Sequence, residues 1–210
     1  MFGSKDNVEN RDYEQAFPKL VRCLAVMVSL LNIGSNVDIL ADRESPVQHE
    51  TLRIYGPVFF IPKYTNESSQ QLEIQGKMHI IPPKTHVYID SAALHTTPDY
   101  WGSDSLEWKP ERWITVENGH EVLSEPRAGS FVPWASGPRV CPGKKFSQVE
   151  FAAVIACLFK NHRVQPVLEA GETSTHASQR ILRVVEDSGL EVTLKMKHPE
   201  LIKLKWEQRA

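Results

Sequence analysis

Cysteine is scarce in this sequence of 210 residues, which contains only three: Cys23, Cys141 and Cys157. An odd and sparse set does not make a disulfide framework, so a reducing compartment is expected. A surplus of one charge is missing too, because Lys+Arg 24 and Asp+Glu 26 leave a net charge of -2. Without a basic surplus to neutralise phosphates, nucleic-acid binding is not expected.

Long hydrophobic runs are also missing. The longest spans 23–31 and has nine residues, with Ser29 inside it, whereas a membrane-spanning helix needs ~20. The start of the chain is polar and acidic, unlike a signal peptide or a membrane anchor. The sequence therefore offers no anchor, and it leaves the cellular location unknown.

What is present is an ordinary globular composition, 41% hydrophobic and 24% charged. Apolar residues at helical spacing predict three helices, over 18–29, 46–54 and 144–160. Alternating residues predict small antiparallel sheets, around 72–89 and 190–206. Between 92 and 133, a stretch rich in Pro, Trp and Gly, we expect short helical turns at best. The predicted class is α+β, mainly α, with the apolar part of the third helix buried.

The segment around Cys141 carries the strongest chemical signal. This cysteine comes directly before the third predicted helix, whose positive dipole end stabilises a thiolate. Gly137 and Gly143 let the backbone bend sharply and approach a flat ligand. Arg139 can form a fork onto a carboxylate, and Trp134 offers a flat apolar surface. Together these residues suit a large, planar, anionic metal cofactor, and haem fits that description.

Three other interpretations of Cys141 stay open at this point. A lone cysteine is more often an inert buried residue than a ligand. A zinc site would need three more ligands, and none is spaced for one. A cysteine hydrolase would need a histidine base, which sequence alone does not place.

Three motifs, taken together, resemble the cytochrome P450 monooxygenases. The loop Gly137-x-Arg139-x-Cys141-x-Gly143 is similar to the haem-binding loop of that family, with Trp134 where the family usually has phenylalanine. The other two follow the family order: Glu50-Thr-Leu-Arg53 resembles its Glu-x-x-Arg helix, and Pro110-Glu-Arg112-Trp113 its Pro-x-Arg-aromatic element. The similarity runs from about Phe17 to Trp206, except for 28–48, and it is closest to fungal members.

The resemblance implies a haem-thiolate monooxygenase that uses haem b, with Cys141 as the ligand of the iron. Its substrates would be O₂ and a small apolar organic molecule, and a reductase would supply electrons. Cys141 would share the cofactor site with four neighbours: Trp134, Gly137, Arg139 and Gly143. The full-length family member is expected at the endoplasmic reticulum membrane.

Other residues receive roles from the same resemblance. A buried ion cluster with a structural role would consist of Glu50, Arg53 and Arg112. Lys144 and Lys145 would help to dock an acidic electron donor, or they are simply a solvated helix start. The substrate wall would include Val58, Phe59 and Phe60 and a turn at 187–189.

Complete family members are much longer, so residues 1–210 would be an incomplete single cytochrome P450 domain, its C-terminal part. The long helix that crosses the distal face of the haem has no counterpart in this sequence. We therefore do not expect independent activity of this chain. The alternatives are an inactive remnant or interaction fragment without haem, and a thiolate-haem isomerase or peroxygenase.

Residues 28–48 interrupt the resemblance, because family members run through the equivalents of Met27 and His49 as one helix. The interruption is 21 codons, which is 3 × 21 = 63 nucleotides. Val28-Ser29 can be written as a splice-donor sequence and Gln48 as an acceptor, so the segment is a possible retained intron. A genuine surface loop is the alternative, since Ser45-Pro46 is a good helix start.

Overall fold

The structure, a computed structural model, describes residues 46–190 and 193–208. The predicted helix over 18–29, Cys23 and residues 28–45 of the suspected insertion lie outside this part of the chain. The described ranges contain five α-helices: α1 Pro46–Tyr55, α2 Ser91–Thr96, α3 Pro98–Trp101, α4 Lys144–Phe159 and α5 Ser174–Glu186. They also contain three 3-10 turns: Pro110–Trp113, Gly137–Arg139 and Pro199–Leu201.

The strands of the described ranges are short: β1 Phe60–Tyr64, β2 Gln70–Ile74, β3 Lys77–Ile81, β4 His86–Asp90, β5 Ile114–Glu117, β6 His120–Leu123, β7 His162–Pro166, β8 Ser188–Leu190, β9 Leu194–Met196 and β10 Leu204–Gln208. They form five antiparallel pairs, β1 with β4, β2 with β3, β5 with β6, β7 with β10 and β8 with β9. The predicted class, α+β with small antiparallel sheets, is confirmed.

Local sequence explains several element boundaries. α1 has Pro46 as its first residue, where the missing N–H of proline costs no helical hydrogen bond. The predicted turn at Gln75-Gly76 joins β2 to β3, with φ values of 52° and 75°. Two positive φ values are what a two-residue hairpin loop needs, because its twist then matches that of the strands. The predicted helix over 144–160 is α4.

Three expectations about secondary structure were wrong or incomplete. The 92–133 stretch is more than helical turns, because it contains the β5–β6 hairpin around Asn118-Gly119. The strands expected around 190–206 belong to two sheets, since β9 pairs with β8 and β10 with β7. α5 was not predicted, although Ala177, Ile181 and Val185 recur at the helical spacing of four and are buried.

The hydrophobic core lies where α1, α4 and α5 meet the C-terminal strands. One buried cluster consists of Val47, Ile155 and Phe159. A second consists of Ile181, Val185 and Met196. Trp108 and Leu204 pack against both clusters, so the two are parts of one core.

The apolar helix α4 is buried on one side only. Ile155 and Phe159 lie in the core, whereas Ala153 and Cys157 are exposed. The expectation of burial all round was therefore wrong, because neighbouring elements in the described ranges cover only the face that carries Ile155 and Phe159. Among the described residues, no helix has the length and apolar character to span a membrane.

Candidate functional site

A buried ion pair on α1 forms one half of the site. The residues of the pair, Glu50 and Arg53, are 0% and 1% exposed. Arg53 Nε and Nη2 donate to the two carboxylate oxygens of Glu50, both at 2.8 Å. The remaining N–H groups of the guanidinium donate to the carbonyl oxygens of His95, Ser105 and Glu107. Every donor of this buried guanidinium therefore has an acceptor, which offsets its loss of hydration.

Three more donors converge on the Glu50 carboxylate. They are the backbone N–H of Lys109 at 2.8 Å, Nε of Arg112 at 2.9 Å and the indole N–H of Trp113 at 2.9 Å. Burial alone would raise the pKa of Glu50, but the hydrogen bond and charge of Arg53, with the other donors, bring this pKa below its usual value. The carboxylate is therefore ionised at neutral pH and ties α1 to the turn that carries Trp113.

Arg112 extends the cluster toward the surface. Its Nη1 lies 3.3 Å from the carboxylate of Asp104, and its Nη2 donates to the Asp104 carbonyl at 3.0 Å. The structure thus brings together the three residues expected to form an ion cluster: Glu50, Arg53 and Arg112. Asp104 belongs to no motif, and sequence analysis missed it.

The cysteine loop, residues 134–143, forms the other half of the site. Gly137 opens its 3-10 turn with a φ of 76°, in the left-handed region that favours glycine. The backbone N–H of Cys141 donates to the Trp134 carbonyl at 2.8 Å, and the Cys141 carbonyl accepts from the N–H of Lys144 at 3.2 Å. The backbone of Cys141 is therefore fixed on both sides, while the residue itself is exposed at the start of α4.

The sulfur of Cys141 lies close to Gly143. A Cβ atom placed on Gly143 would lie 3.7 Å from this Sγ, in the contact that glycine leaves free. Arg139 is exposed, and it forms no ion pair or hydrogen bond with other residues of the described ranges. Val140 and Phe146 are 47% and 71% exposed on either side of the cysteine. Within eight residues, the chain thus exposes a thiol, a guanidinium without a partner among the described residues, and two apolar side chains.

Trp134 anchors the beginning of the cysteine loop to α4. Its indole N–H donates to Ser147 Oγ at 3.0 Å, a bond that a phenylalanine could not make. Nζ of Lys144 lies 5.3 Å from the centroid of the same ring. The ring also meets Phe131 edge-on, with centroids 6.5 Å apart. Trp134 thus connects the loop both to α4 and to an aromatic cluster behind it.

His95 joins the two halves of the site, and sequence analysis missed it. It lies on α2, is 3% exposed, and accepts the N–H of Val132 at Nε2 with a distance of 2.9 Å. Its carbonyl accepts from Arg53, as described above. Its ring packs against Phe131, with centroids 5.2 Å apart. A single histidine outside any motif gives no sequence signal, so only the fold reveals this position.

A backbone hydrogen bond links the neighbourhoods of the two segments expected to line a substrate pocket. The backbone N–H of Leu194 donates to the Pro57 carbonyl at 2.9 Å, which places the β8–β9 hairpin beside the residues that lead to Val58. Val58 is 48% exposed and Phe60 is 45% exposed. The expected turn at 187–189 is instead the end of α5 followed by β8.

Within 46–190 and 193–208, no group of three or more His, Cys, Asp or Glu residues is placed to hold a metal ion. A haem iron differs from such ions because the porphyrin supplies most of its ligands, and a single cysteine thiolate can hold it. Cys141 and Cys157 are the free, exposed cysteines of the described ranges.

Comparison with solved structures identifies the class of fold. The chain is similar to the haem domain of cytochrome P450DA, with a TM-score of 0.56, 16% identity, and coverage of 94% of this chain and 38% of that one. Residues 46–189 match the family model described as Cytochrome P450. The chain therefore belongs to the cytochrome P450 family, as its three motifs predicted, and membership implies a haem cofactor.

Curated relatives point to the same family. A cytochrome P450 monooxygenase of Arthrobotrys oligospora is 27% identical over 94% of this chain and 33% of its own length. The phomenoic acid biosynthesis cluster cytochrome P450 monooxygenase of Leptosphaeria maculans is 29% identical over 83% of this chain and 29% of its own length. The chain thus spans about a third of these relatives.

Proposed function

We propose that this chain contributes the thiolate side of a haem-dependent monooxygenase, with Cys141 as the ligand of a haem b iron. The observation that supports this most directly is the position of the Cys141 sulfur. It is exposed at the N-terminal end of α4, with its backbone fixed by two hydrogen bonds and no side chain on Gly143 beside it. Such a position leaves the sulfur accessible to a bulky partner.

The neighbouring residues fit a haem. Arg139 has no partner among the described residues and would pair with a haem propionate, which a guanidinium binds through its fork of N–H groups. The exposed Val140 and Phe146 would cover part of the apolar macrocycle. Gly137 and Gly143 keep the loop backbone free of side chains where a flat ring would approach.

When bound with a thiolate ligand, haem supplies reductive activation of O₂ and transfer of one oxygen atom to an organic substrate. The chain itself would hold the sulfur in place, orient the cofactor through Arg139 and keep the loop rigid through Trp134. Val58 and Phe60 would form part of an apolar substrate wall, and the exposed Lys144 and Lys145 would attract an acidic electron donor. For the full-length protein we expect attachment to the endoplasmic reticulum membrane.

The names of the relatives support the class of reaction and leave the substrate open. The Arthrobotrys oligospora protein is named a monooxygenase. The Leptosphaeria maculans protein is named for a phomenoic acid cluster. Because the chain spans about a third of each, both the activity and the partners belong to this proposal.

Substitution of Cys141 tests the proposal, and α4 offers a matched control in the second exposed cysteine, Cys157. The full chain is titrated with haem, reduced and exposed to carbon monoxide. We expect the absorption band of thiolate-ligated iron in the parent chain and in Cys157→Ala. The band should be absent from Cys141→Ala.

Two results would contradict the proposal. A thiolate band that survives in Cys141→Ala would assign the ligand to another residue. A parent chain that remains folded, by circular dichroism, yet takes up no haem would favour the interaction fragment without cofactor.

A further inference from the structure

His95 occupies the contact point between the buried ion pair and the segment that leads into the cysteine loop. On one side, its backbone carbonyl accepts from Nη1 of Arg53 at 2.8 Å. On the other side, its Nε2 accepts from the backbone N–H of Val132 at 2.9 Å. The same residue therefore bonds through its main chain to α1 and through its side chain to the loop segment.

The side-chain bond requires one particular state of the imidazole. A ring nitrogen accepts a hydrogen bond only when it carries no proton, so His95 must be neutral, with its proton on Nδ1. Burial lowers the pKa of His95 to about 4, and the positive charge of Arg53 acts in the same direction. Glu50, the only carboxylate bonded to that guanidinium in the described ranges, faces Arg53 and accepts no bond from His95. The neutral form therefore prevails at neutral pH.

The bond to Val132 reaches Cys141 through a short series of backbone contacts. The Val132 carbonyl accepts from the N–H of Ala135 at 3.0 Å, which closes a turn around Trp134. The Trp134 carbonyl then accepts from the N–H of Cys141 at 2.8 Å. Displacement of Val132 would therefore move the carbonyl that fixes the cysteine.

Aromatic packing alone does not position this segment in the same way. Phe131, the residue before Val132, contacts the rings of His95 and Trp113 at centroid distances of 5.2 Å and 4.7 Å. These contacts involve the ring of Phe131 and place no hydrogen bond on the peptide that follows it. The Nε2 acceptor adds a directional bond to that peptide, since hydrogen bonds weaken steeply when misaligned.

We propose that His95 is a positioning residue for the cysteine loop, in which its neutral Nε2 holds the Val132 peptide so that the Trp134 carbonyl fixes the amide of Cys141. The functional meaning of this role rests on the proposed function of Cys141 as a haem ligand. Among the described residues, His95 forms no hydrogen bond with the Cys141 sulfur, so its action on the cysteine is indirect.

Two substitutions separate positioning from simple filling of space. His95→Phe keeps a ring against Phe131 and removes the acceptor. His95→Gln removes the ring but carries an amide oxygen about as far from the backbone as Nε2, so it can accept from Val132. His120→Gln, at an exposed histidine of β6, is the matched control.

Amide hydrogen exchange in the full chain, without added haem, measures the bond directly. For His95→Phe we expect exchange at Val132 to rise about tenfold, because its N–H loses its acceptor. For His95→Gln and His120→Gln it should stay within about threefold of the parent chain. Exchange at Ile181, in the core of α5, should be unchanged in all three variants and reports global opening.

Each other result overturns the proposal. Unchanged exchange at Val132 in His95→Phe would show that the bond holds nothing in place. An equal rise at Val132 and Ile181 would show that His95 only stabilises the whole fold. Failure of His95→Gln to restore protection would assign the effect to the ring. The haem titration of Cys141→Ala fails or succeeds independently of these measurements, so failure of the ligand assignment is distinguishable from failure of the role of His95.

Discussion

The ion cluster and the cysteine loop both contain a guanidinium, and they use it in opposite ways. Arg53 is buried, and each of its N–H groups donates to the Glu50 carboxylate or to a backbone carbonyl. Arg139 is exposed and has no partner among the described residues. The first arrangement leaves no group free to act on a ligand, whereas the second leaves a complete donor set available.

The difference separates two functions of charge in one molecule. A buried charge with all its bonds made stabilises a specific arrangement of chain segments, and its removal leaves a partner without compensation. An exposed, unpaired charge contributes little to folding and is available for recognition. Substitutions in the two regions should therefore affect different measurements.

The largest effect is expected for Arg53→Ala. The substitution leaves the Glu50 carboxylate, which is 0% exposed, without its main partner. Loss of one member of a buried ion pair costs about 3–5 kcal/mol. Urea denaturation should therefore show a loss of unfolding free energy of that size, or a chain that no longer folds.

Arg139→Ala is the matched substitution in the cysteine loop. At an exposed site without partners, its effect on stability should stay within about 0.5 kcal/mol. Haem affinity should fall in this variant while the fold is retained. Similar losses of stability in the two variants would remove the distinction between the cluster and the loop.

The next effect concerns pH, and it tests the residue between the two regions. The pKa of His95 falls from its ordinary value of 6.5 to about 4 in the folded chain. Above pH 6.5 the imidazole of His95 is neutral in both the folded and the unfolded chain. As the pH falls, the unfolded chain takes up the proton first, because its histidine has the higher pKa. Stability should therefore decrease between pH 6.5 and 4.5, by roughly 1.4 kcal/mol per pH unit at most.

His95→Gln removes this titration and should flatten that part of the stability profile. Urea denaturation of both chains between pH 6.5 and 4.5 gives the comparison. Glu50 titrates below this range, because the pKa of its carboxyl lies below the usual value in the folded chain. Parallel profiles for the two chains would show that His95 does not titrate as its burial requires.

Sequence analysis located the parts of the site that carry motifs. Cys141, Glu50 and Arg112 were singled out because a cysteine loop before a helix, a Glu-x-x-Arg helix and a Pro-x-Arg element resemble cytochrome P450 motifs and follow the family order. The directions of their bonds could not be predicted, since three of the five donors on the Glu50 carboxylate come from a distant segment of the chain.

The rest of the fold depended on contacts that sequence spacing does not encode. His95 is defined by bonds to residues 42 and 37 positions away. The pairing of β7 with β10 likewise joins strands that α5 separates in sequence. Local alternation predicts that a strand exists, but burial against the core decides its partner. Helix α4 was predicted well in extent and poorly in burial, because its all-apolar sequence does not show which face the core covers.

A smaller effect is expected at the first turn of α1, where the suspected insertion ends. Gln48 is buried there; its Nε2 donates to the Ser147 carbonyl at 3.1 Å, and its Oε1 has no partner within the described part of the chain. Gln48→Met loses one ordinary hydrogen bond and also removes an unpaired buried oxygen. Because the unpaired group costs more than such a bond contributes, we expect a gain of about 1 kcal/mol in unfolding free energy.

If residues 28–48 are a retained intron, their deletion would also place a methionine at the position of Gln48. Deletion of 28–48 would join Met27 to His49, with Val26 in place of Val47 and Met27 in place of Gln48. The core valine would be kept and the buried amide removed, so the shortened chain should be at least as stable as Gln48→Met. Sequencing of the mature transcript decides the origin of the segment, and persistence of the corresponding codons would show that it is a genuine part of the protein.

A small loss of stability is expected at the start of the cysteine loop, for Trp134→Phe. The substitution keeps an aromatic ring beside Phe131 but removes the indole N–H that donates to Ser147 Oγ at 3.0 Å. Ser147 Oγ keeps a second bond, since it donates to the Lys144 carbonyl at 2.8 Å, so no polar atom is left unpaired. We expect a loss of about 0.5–1 kcal/mol in unfolding free energy, measured by urea denaturation.

Ser147→Ala removes the same hydrogen bond from its other end, so the double variant should lose less unfolding free energy than the sum of the two single losses. Additive losses would show that the bond does not hold the cysteine loop to α4, and the loop would then depend on its backbone contacts alone.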